Sequence, residues 1–211
     1  MSLILVDSYS ETYDGICFYW NSDGCGTAHS FVGKAGNIVN CKFYLKKIGN
    51  PTGNMIAKLY AHSGTFGVSS IPTGVVLATS DAIDISILPT SFNLIIFNFT
   101  GVEQYTLVAD TYYCIAIEPV AGASLDDSNI VYVGSDIVNL LHSGNASDIN
   151  VVPPYLPYPN AEVIFYVYAE ETRYPFVTLS VEKRIKSLTV QKLQTGLGIE
   201  KRLTDLDIQK K

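Results

Sequence analysis

Basic charge is scarce over most of this chain. Only 16% of its 211 residues are charged, and residues 1–170 hold five Lys/Arg against fifteen Asp/Glu, a net of −10. Phosphate contacts need clustered Lys or Arg, so so acidic a body argues against a nucleic-acid partner. Histidine is scarcer still. His29, His62 and His142 are scattered, and the chain has neither a His-Glu-x-x-His pair for a metal nor a Gly-x-Ser-x-Gly elbow for a nucleophile. Cys17, Cys25, Cys41 and Cys114 form no Cys-x-x-Cys, which argues against zinc. Long apolar runs are missing too. Leu3-Ile4-Leu5-Val6 is a run of four with no basic stretch before it, too short for a secretory signal, and nothing nears the length of a membrane span. Without such a signal, the sequons Asn98-Phe-Thr and Asn145-Ala-Ser carry little weight. No catalytic set is expected.

What is plentiful is apolar and β-forming. Hydrophobic residues make up 47% of the chain and there are 14 tyrosines, with Val, Ile and Thr abundant, a composition that favours strands. Residues 1–170 read as short alternating runs broken by Gly, Pro, Asn and Asp every eight to twelve residues, the pattern of a β-sandwich or jelly roll. Strands are expected at Tyr9–Tyr13, Cys17–Trp20, His29–Val32, Ile38–Ile48, Met55–Ala61, Val75–Ala78, Ala82–Ile87, Leu94–Phe99, Tyr105–Val108, Thr111–Glu118, Ile130–Val133 and Val163–Ala169. In Ile38–Ile48, the residues Ile38, Cys41, Phe43 and Leu45 face a core if one bulge is allowed. Gly49-Asn-Pro51-Thr-Gly53-Asn54 is a turn. Cys41 and Cys114 read as small core residues. Cys17 and Cys25 flank a loop and are a candidate pair under oxidation.

From Leu179 the chain repeats every nine residues. Leu179, Leu188, Leu197 and Leu206 form one column, and Val181, Val190, Ile199 and Ile208 the next. Glu182, Gln191, Glu200 and Gln209 follow, then Lys183, Lys192, Lys201 and Lys210. Short periods mark fibres and arrays, because one unit cannot bury its own apolar face. A helix turns about 100° per residue, so nine residues put successive leucines on opposite sides, and no heptad is present for a coiled coil. A strand places Leu-x-Val and Leu-x-Ile on one face. Three chains wound together would bury those columns and show Lys and Glu/Gln to water. The competing readings are a short helix pair packed on the head and an arm ordered only by a partner. Residues 171–211 carry nine Lys/Arg against five Asp/Glu, a net of +4, which suits a solvated stalk face or docking onto an acidic protein surface.

Gly36-Asn-Ile38, Phe43-Tyr-Leu45-Lys46-Lys47-Ile-Gly49-Asn-Pro51-Thr-Gly53, Ala57-Lys-Leu-Tyr60-Ala-His-Ser-Gly64, Pro72-Thr-Gly74 and Ala78-Thr-Ser80-Asp81 together resemble the choice-of-anchor R type domain. The resemblance covers about residues 8–168 and rests on turns and core strands. It implies a carbohydrate-binding-like β-sandwich of the kind found in bacterial surface proteins and phage virions. The family is named for a variable C-terminal attachment. The attachment expected here is not a sorting signal or membrane anchor but a nonapeptide stalk similar to trimeric phage fibre shafts, an expectation that favours a virion over a cell wall.

Sugar recognition needs flat aromatic faces beside Asp, Asn or Gln. Tyr19 and Trp20 with Asn21 and Asp23 are one candidate; Tyr155 and Tyr158, in the stiff Pro153–Asn160 loop, are another. The competing reading makes Trp20 a core residue and the proline loop a connector or subunit contact. Asp126 and Asp127, with Asp136, Ser124 and Asn129, are candidate Ca²⁺ ligands, although a solvated turn explains the adjacent pair as well.

The sequence therefore predicts an all-β protein: a jelly-roll-like β-sandwich head over residues 1–170, then a repetitive β-type oligomerisation stalk over 171–211. The function expected is that of a non-enzymatic phage virion protein (head fibre, decoration protein or tail-associated spike). It would be a homotrimer seated on other virion proteins, contacting a cell-surface glycan but neither nucleic acid nor membrane. The expected location is the virion surface after synthesis in the host cytoplasm. The alternative is a monomeric glycan-binding module of a bacterial surface protein, docked through its tail; a depolymerase or esterase subunit is a distant third. No cofactor is expected beyond the Ca²⁺ candidate.

Overall fold

The computed structural model describes residues 2–9, 16–20, 25–138, 140–150 and 155–171, with side chains set aside at 16–20, 25 and 150. All of these belong to the first of two units, Met1–Tyr174. The second, Pro175–Lys211, lies outside the described residues. So do the nonapeptide repeat and every oligomerisation position from Leu179 to Ile208.

In chain order the strands are β1 (Leu3–Tyr9), β2 (Ile16–Trp20), β3 (Cys25–Val32), β4 (Gly36–Ile48) and β5 (Asn54–Ser63). Then come β6 (Ile71–Thr79), β7 (Ile83–Asp84), β8 (Asn93–Asn98), β9 (Thr106–Leu107) and β10 (Tyr112–Pro119). The last are β11 (Ile130–Asp136), β12 (Ala146–Asn150), β13 (Pro157–Tyr158), β14 (Glu162–Val163) and β15 (Phe165–Glu170). Among the described residues there is no α-helix, only 3-10 turns at Ile85–Ile87 and Gly101–Glu103. Two antiparallel sheets result. The first runs β1-β15-β4-β11-β14, with β8 and β9 also paired to β4 and β2 to β11. The second runs β13-β12-β3-β10-β5-β6, with β7 on β5. The described residues form an all-β sandwich, as the patterning of residues 1–170 predicts.

Strand β4 organises the first sheet. Ile38, Cys41, Phe43 and Leu45 are fully buried, and a bulge reconciles the three-residue step between the first two. β15 advances one residue, from Tyr168 to Ala169, while β4 goes from Asn40 to Ile38. The extra residue restores the inward phase. The inner faces of the two sheets meet in a core of Phe31, Phe43, Phe97, Phe165, Leu59 and Ile115, among others, with Phe43 and Phe97 edge to face at 6.2 Å. Each such side chain contributes about 1.5–3 kcal/mol of burial. The chain then leaves β4 through Gly49, at φ 71°, and enters the other sheet rather than closing a hairpin. A Cβ at Gly49 would stand 2.1 Å from the Ser128 carbonyl oxygen, so that turn admits only glycine.

Several expected strands are corrected. The described opening strand is Leu3–Tyr9, which pairs with β15, Leu3 opposite Glu170; of the expected strand Tyr9–Tyr13, residues 10–13 lie outside the described residues. Ala82–Ile87 is a two-residue bridge followed by a 3-10 turn, because the Asp84 carboxylate accepts the Ser86 N–H at 2.8 Å and caps the turn. Val163–Ala169 breaks at Ile164, so that β14 pairs with β11 while β15 pairs with β1 and β4. β12 had no clear alternating signal; it forms by pairing along β3, Ala146 opposite His29.

Candidate functional site

The sequence candidates scatter. Tyr19 and Trp20 fall on β2, where the register sets them opposite Tyr132 and Val131; Asn21 and Asp23 lie outside the described residues. Tyr155 packs against a small cluster on the outer side of the second sheet, made of Ala28, Tyr60, Cys114, Ala116 and Ile149. Cys114 is thus buried beneath that cover rather than between the sheets. Tyr158 is partly buried against the main core and donates its hydroxyl to Asp148 Oδ2 at 2.5 Å. That bond, with burial, pushes the phenol up to about 12. Tyr155 and Tyr158 therefore help to hold their segment against the sandwich while each stays partly exposed. Cys17 and Cys25 lie on strands of different sheets, and their side chains are outside those described.

The three aspartates do not assemble. Asp126 closes its own turn, accepting from Ser128 N at 2.7 Å and from Asn129 N at 3.0 Å, which corrects the Ca²⁺ candidate toward the turn reading. Asp136 stands at the opposite end of β11, six residues or about 20 Å along the strand, and is fully buried. Among the described residues no three His, Cys, Asp or Glu are gathered to hold a metal ion.

Asp136 belongs instead to a buried polar network that sequence reasoning missed. Its carboxylate accepts from the Tyr9 hydroxyl at 2.6 Å and from Val138 N at 2.8 Å. Burial, that bond and the nearby Glu162 push the tyrosine pKa well up. Glu162 accepts the His142 N–H at 2.8 Å, and its own pKa is raised by burial. His142 Nε2 reaches Asp7 Oδ1 at 3.2 Å, while its Nδ1 accepts from Gly144 N. The His142 ring meets the His29 ring edge-on at 4.9 Å. His29 is fully buried, stacked on Phe165, with Nδ1 donating to the Ser30 carbonyl and Nε2 without a partner among the described residues. Burial, and then His142, hold its pKa down to about 3. These groups come from β1, β3, β11, β14 and the 137–145 loop, which is why no local motif announces them. Their burial suits them to clamp that loop rather than to meet a substrate. Ser70 and His62 are also paired, at 2.9 Å, but Ser70 is fully buried and so is not presented as a nucleophile.

A partly exposed aromatic patch lies on the outer face of the first sheet. Because Cys41, Phe43 and Leu45 point inward, Lys42, Tyr44 and Lys46 point outward and are half-buried. Tyr166 and Tyr168 do the same on β15, their rings parallel within 13° at 6.5 Å. Tyr44 stacks on Phe92 at 5.0 Å. It lies across Gly134, where a Cβ would come within 2.7 Å of the ring. Lys46 Nζ sits 4.7 Å from the Phe92 centroid and 5.2 Å from that of Tyr132; Lys42 Nζ sits 4.9 Å over Tyr168. The result is two aromatic groups on one face, Tyr44, Phe92 and Tyr132 beside Lys46 and Tyr166 and Tyr168 beside Lys42. Its signal was present in the sequence as Lys42-x-Tyr44-x-Lys46 and Tyr166-x-Tyr168, but the two stretches are joined only by the β4–β15 register, Tyr166 opposite Lys42. Compared with family models and with curated proteins, the chain matches none.

Proposed function

We propose that this chain is a non-enzymatic phage virion structural protein — a head fibre, decoration protein or tail-associated spike — that displays a jelly-roll-like sandwich on a trimeric C-terminal stalk and adheres to host glycans. The observation that carries the adhesive part is the aromatic outer face of the first sheet, where Tyr44, Phe92, Tyr132, Tyr166 and Tyr168 present flat apolar surface of the kind pyranose C–H groups pack against. The four-row nonapeptide repeat supports the stalk. The loop before His142 supports a seat against another virion protein, since Ile137, Val138, Leu140 and Leu141 are all exposed, Leu141 by 87%. Trimers arrayed on a particle convert weak glycan contacts into avidity by raising the effective concentration at the second site.

Mass photometry of the full chain tests the stalk. A trimer that becomes monomeric on deletion of residues 179–211 supports the reading; a monomeric full-length protein replaces it with the monomeric glycan-binding module. A glycan array tests adhesion, with Tyr132→Ala and Tyr168→Ala expected to abolish a hit. Hydrolysis of capsule or cell wall by the purified protein would refute the non-enzymatic assignment.

A further inference from the structure

The head carries only five basic residues in its first 170, all of them lysines: Lys34, Lys42, Lys46, Lys47 and Lys58. Lys58 is neutralised by Glu118 at 2.7 Å. Lys34 donates to the Leu5 carbonyl and Lys47 to the Ser86 carbonyl. Lys42 and Lys46 alone stand over aromatic rings, and neither makes an ion pair among the described residues. In so acidic a body these two ammonium groups, with Glu170 the carboxylate on the same side of β15, leave the outward side of β4 and β15 with a small positive excess. A cation–π contact fixes where an ammonium sits without cancelling its charge, so both arrive at a ligand already positioned, and less ordering is left for binding to supply. Four residues apart on β4, they are separated by about 13 Å. That is a span for a chain of several sugar rings, not for one.

We propose that the outer face of the first sheet binds anionic polysaccharide, with Lys42 and Lys46 pairing with carboxylate or sulfate groups on separate sugar units and Tyr132, Tyr166 and Tyr168 packing against the rings. This rests on the adhesive reading above and narrows it from glycans at large to acidic ones. Each lysine contributes a charge-assisted hydrogen bond that a neutral sugar cannot match.

The test uses the full chain, with polygalacturonate, hyaluronan and heparin oligosaccharides of increasing length as acidic probes and galactan and dextran oligosaccharides as neutral ones, in titration calorimetry. At least one acidic probe is expected to bind more tightly than every neutral one, more tightly as it lengthens, and more weakly as salt rises. Lys42→Gln/Lys46→Gln should weaken that probe roughly tenfold or more and leave any neutral binding unchanged. Thermal melting of the variant serves as the control for folding. Tyrosine-dependent binding of a neutral probe that ignores the lysine changes would overturn the acidic specificity while leaving glycan adhesion standing. Binding of none of the probes overturns both. Lysine-dependent binding of a single-stranded oligonucleotide at equal strength would overturn the polysaccharide assignment in favour of a general polyanion surface.

Discussion

At the scale of single residues, burial decides chemistry. His29 is held neutral because its surroundings exclude the water that would solvate an imidazolium. With a folded pKa of about 3 and an unfolded one near 6.5, the unfolded chain binds the extra proton anywhere between those limits. Stability therefore falls as pH drops from about 6.5 toward 3, by up to about 1.4 kcal/mol per unit. Asp7 acts lower down: burial pushes its pKa up, but the bonds from His142 and Val32 N more than offset that, so its contribution is lost only as pH falls below the usual aspartate range. Glu162 has the opposite sign. Burial raises its pKa, so the folded state takes up its proton first and recovers stability as pH falls toward the ordinary glutamate value. His29→Phe should flatten the pH dependence of Tm between about pH 6.5 and 4 in scanning calorimetry; a slope equal to that of the wild type would contradict the assignment. Gly49→Ala meets both a left-handed φ and the Ser128 carbonyl, and should cost about 2 kcal/mol or more by urea denaturation.

Among the elements, strands were more legible than their partners. The alternation of β4 was readable, bulge included, because one side of it is buried without exception from Cys41 to Leu45. β12 was not, because Ala-Ser-Asp-Ile-Asn has no apolar alternation of its own and is specified by β3 and β13 on either side of it. The loop before β6 depends on a residue far from it in sequence. The Asn145 side chain accepts from Ser70 N at 3.1 Å and donates to the Ser70 carbonyl at 3.2 Å and the Ala146 carbonyl at 2.8 Å. Asn145→Ala should cost about 2–3 kcal/mol and raise proteolytic nicking across residues 64–70, with Asn98→Ala as the exposed control. Asn145 is also buried, so its sequon is out of reach of a transferase in the folded protein. Gly134→Ala should displace Tyr44 and, through Phe92, weaken binding at the Lys46 end of the aromatic face more than at the Lys42 end, a difference that chemical-shift mapping of a bound glycan would read.

For the molecule as a whole, the two sheets divide the work. The second sheet carries its own outer cover over Cys114, made by Tyr60 and Tyr155, while the outer face of the first shows tyrosines and lysines to solvent. Tyr132→Ala combined with Tyr168→Ala should remove glycan binding, and thermal melting of the double variant separates that loss from any loss of folding stability. Deleting residues 179–211 should leave that monomeric affinity intact and abolish only the avidity measured on a glycan-coated surface.

The amino-acid order by itself determined that the protein is all-β, where most strands run, that Gly49–Asn54 turns the chain, and that Ile38, Cys41, Phe43 and Leu45 enter a core. All of these are local consequences of side-chain period and turn stereochemistry. Only the tertiary structure decided which surface is available. It packed Tyr155 and Tyr158 partly against the sandwich, separated Asp126 from Asp136 along β11, gathered Tyr9, Asp136, Glu162, His142 and His29 from five segments, and set Lys42 beside Tyr166. The reason is that a sandwich is assembled by pairing strands distant in sequence. The neighbours of any side chain then depend on register across the sheet, and register is a property of the packed whole.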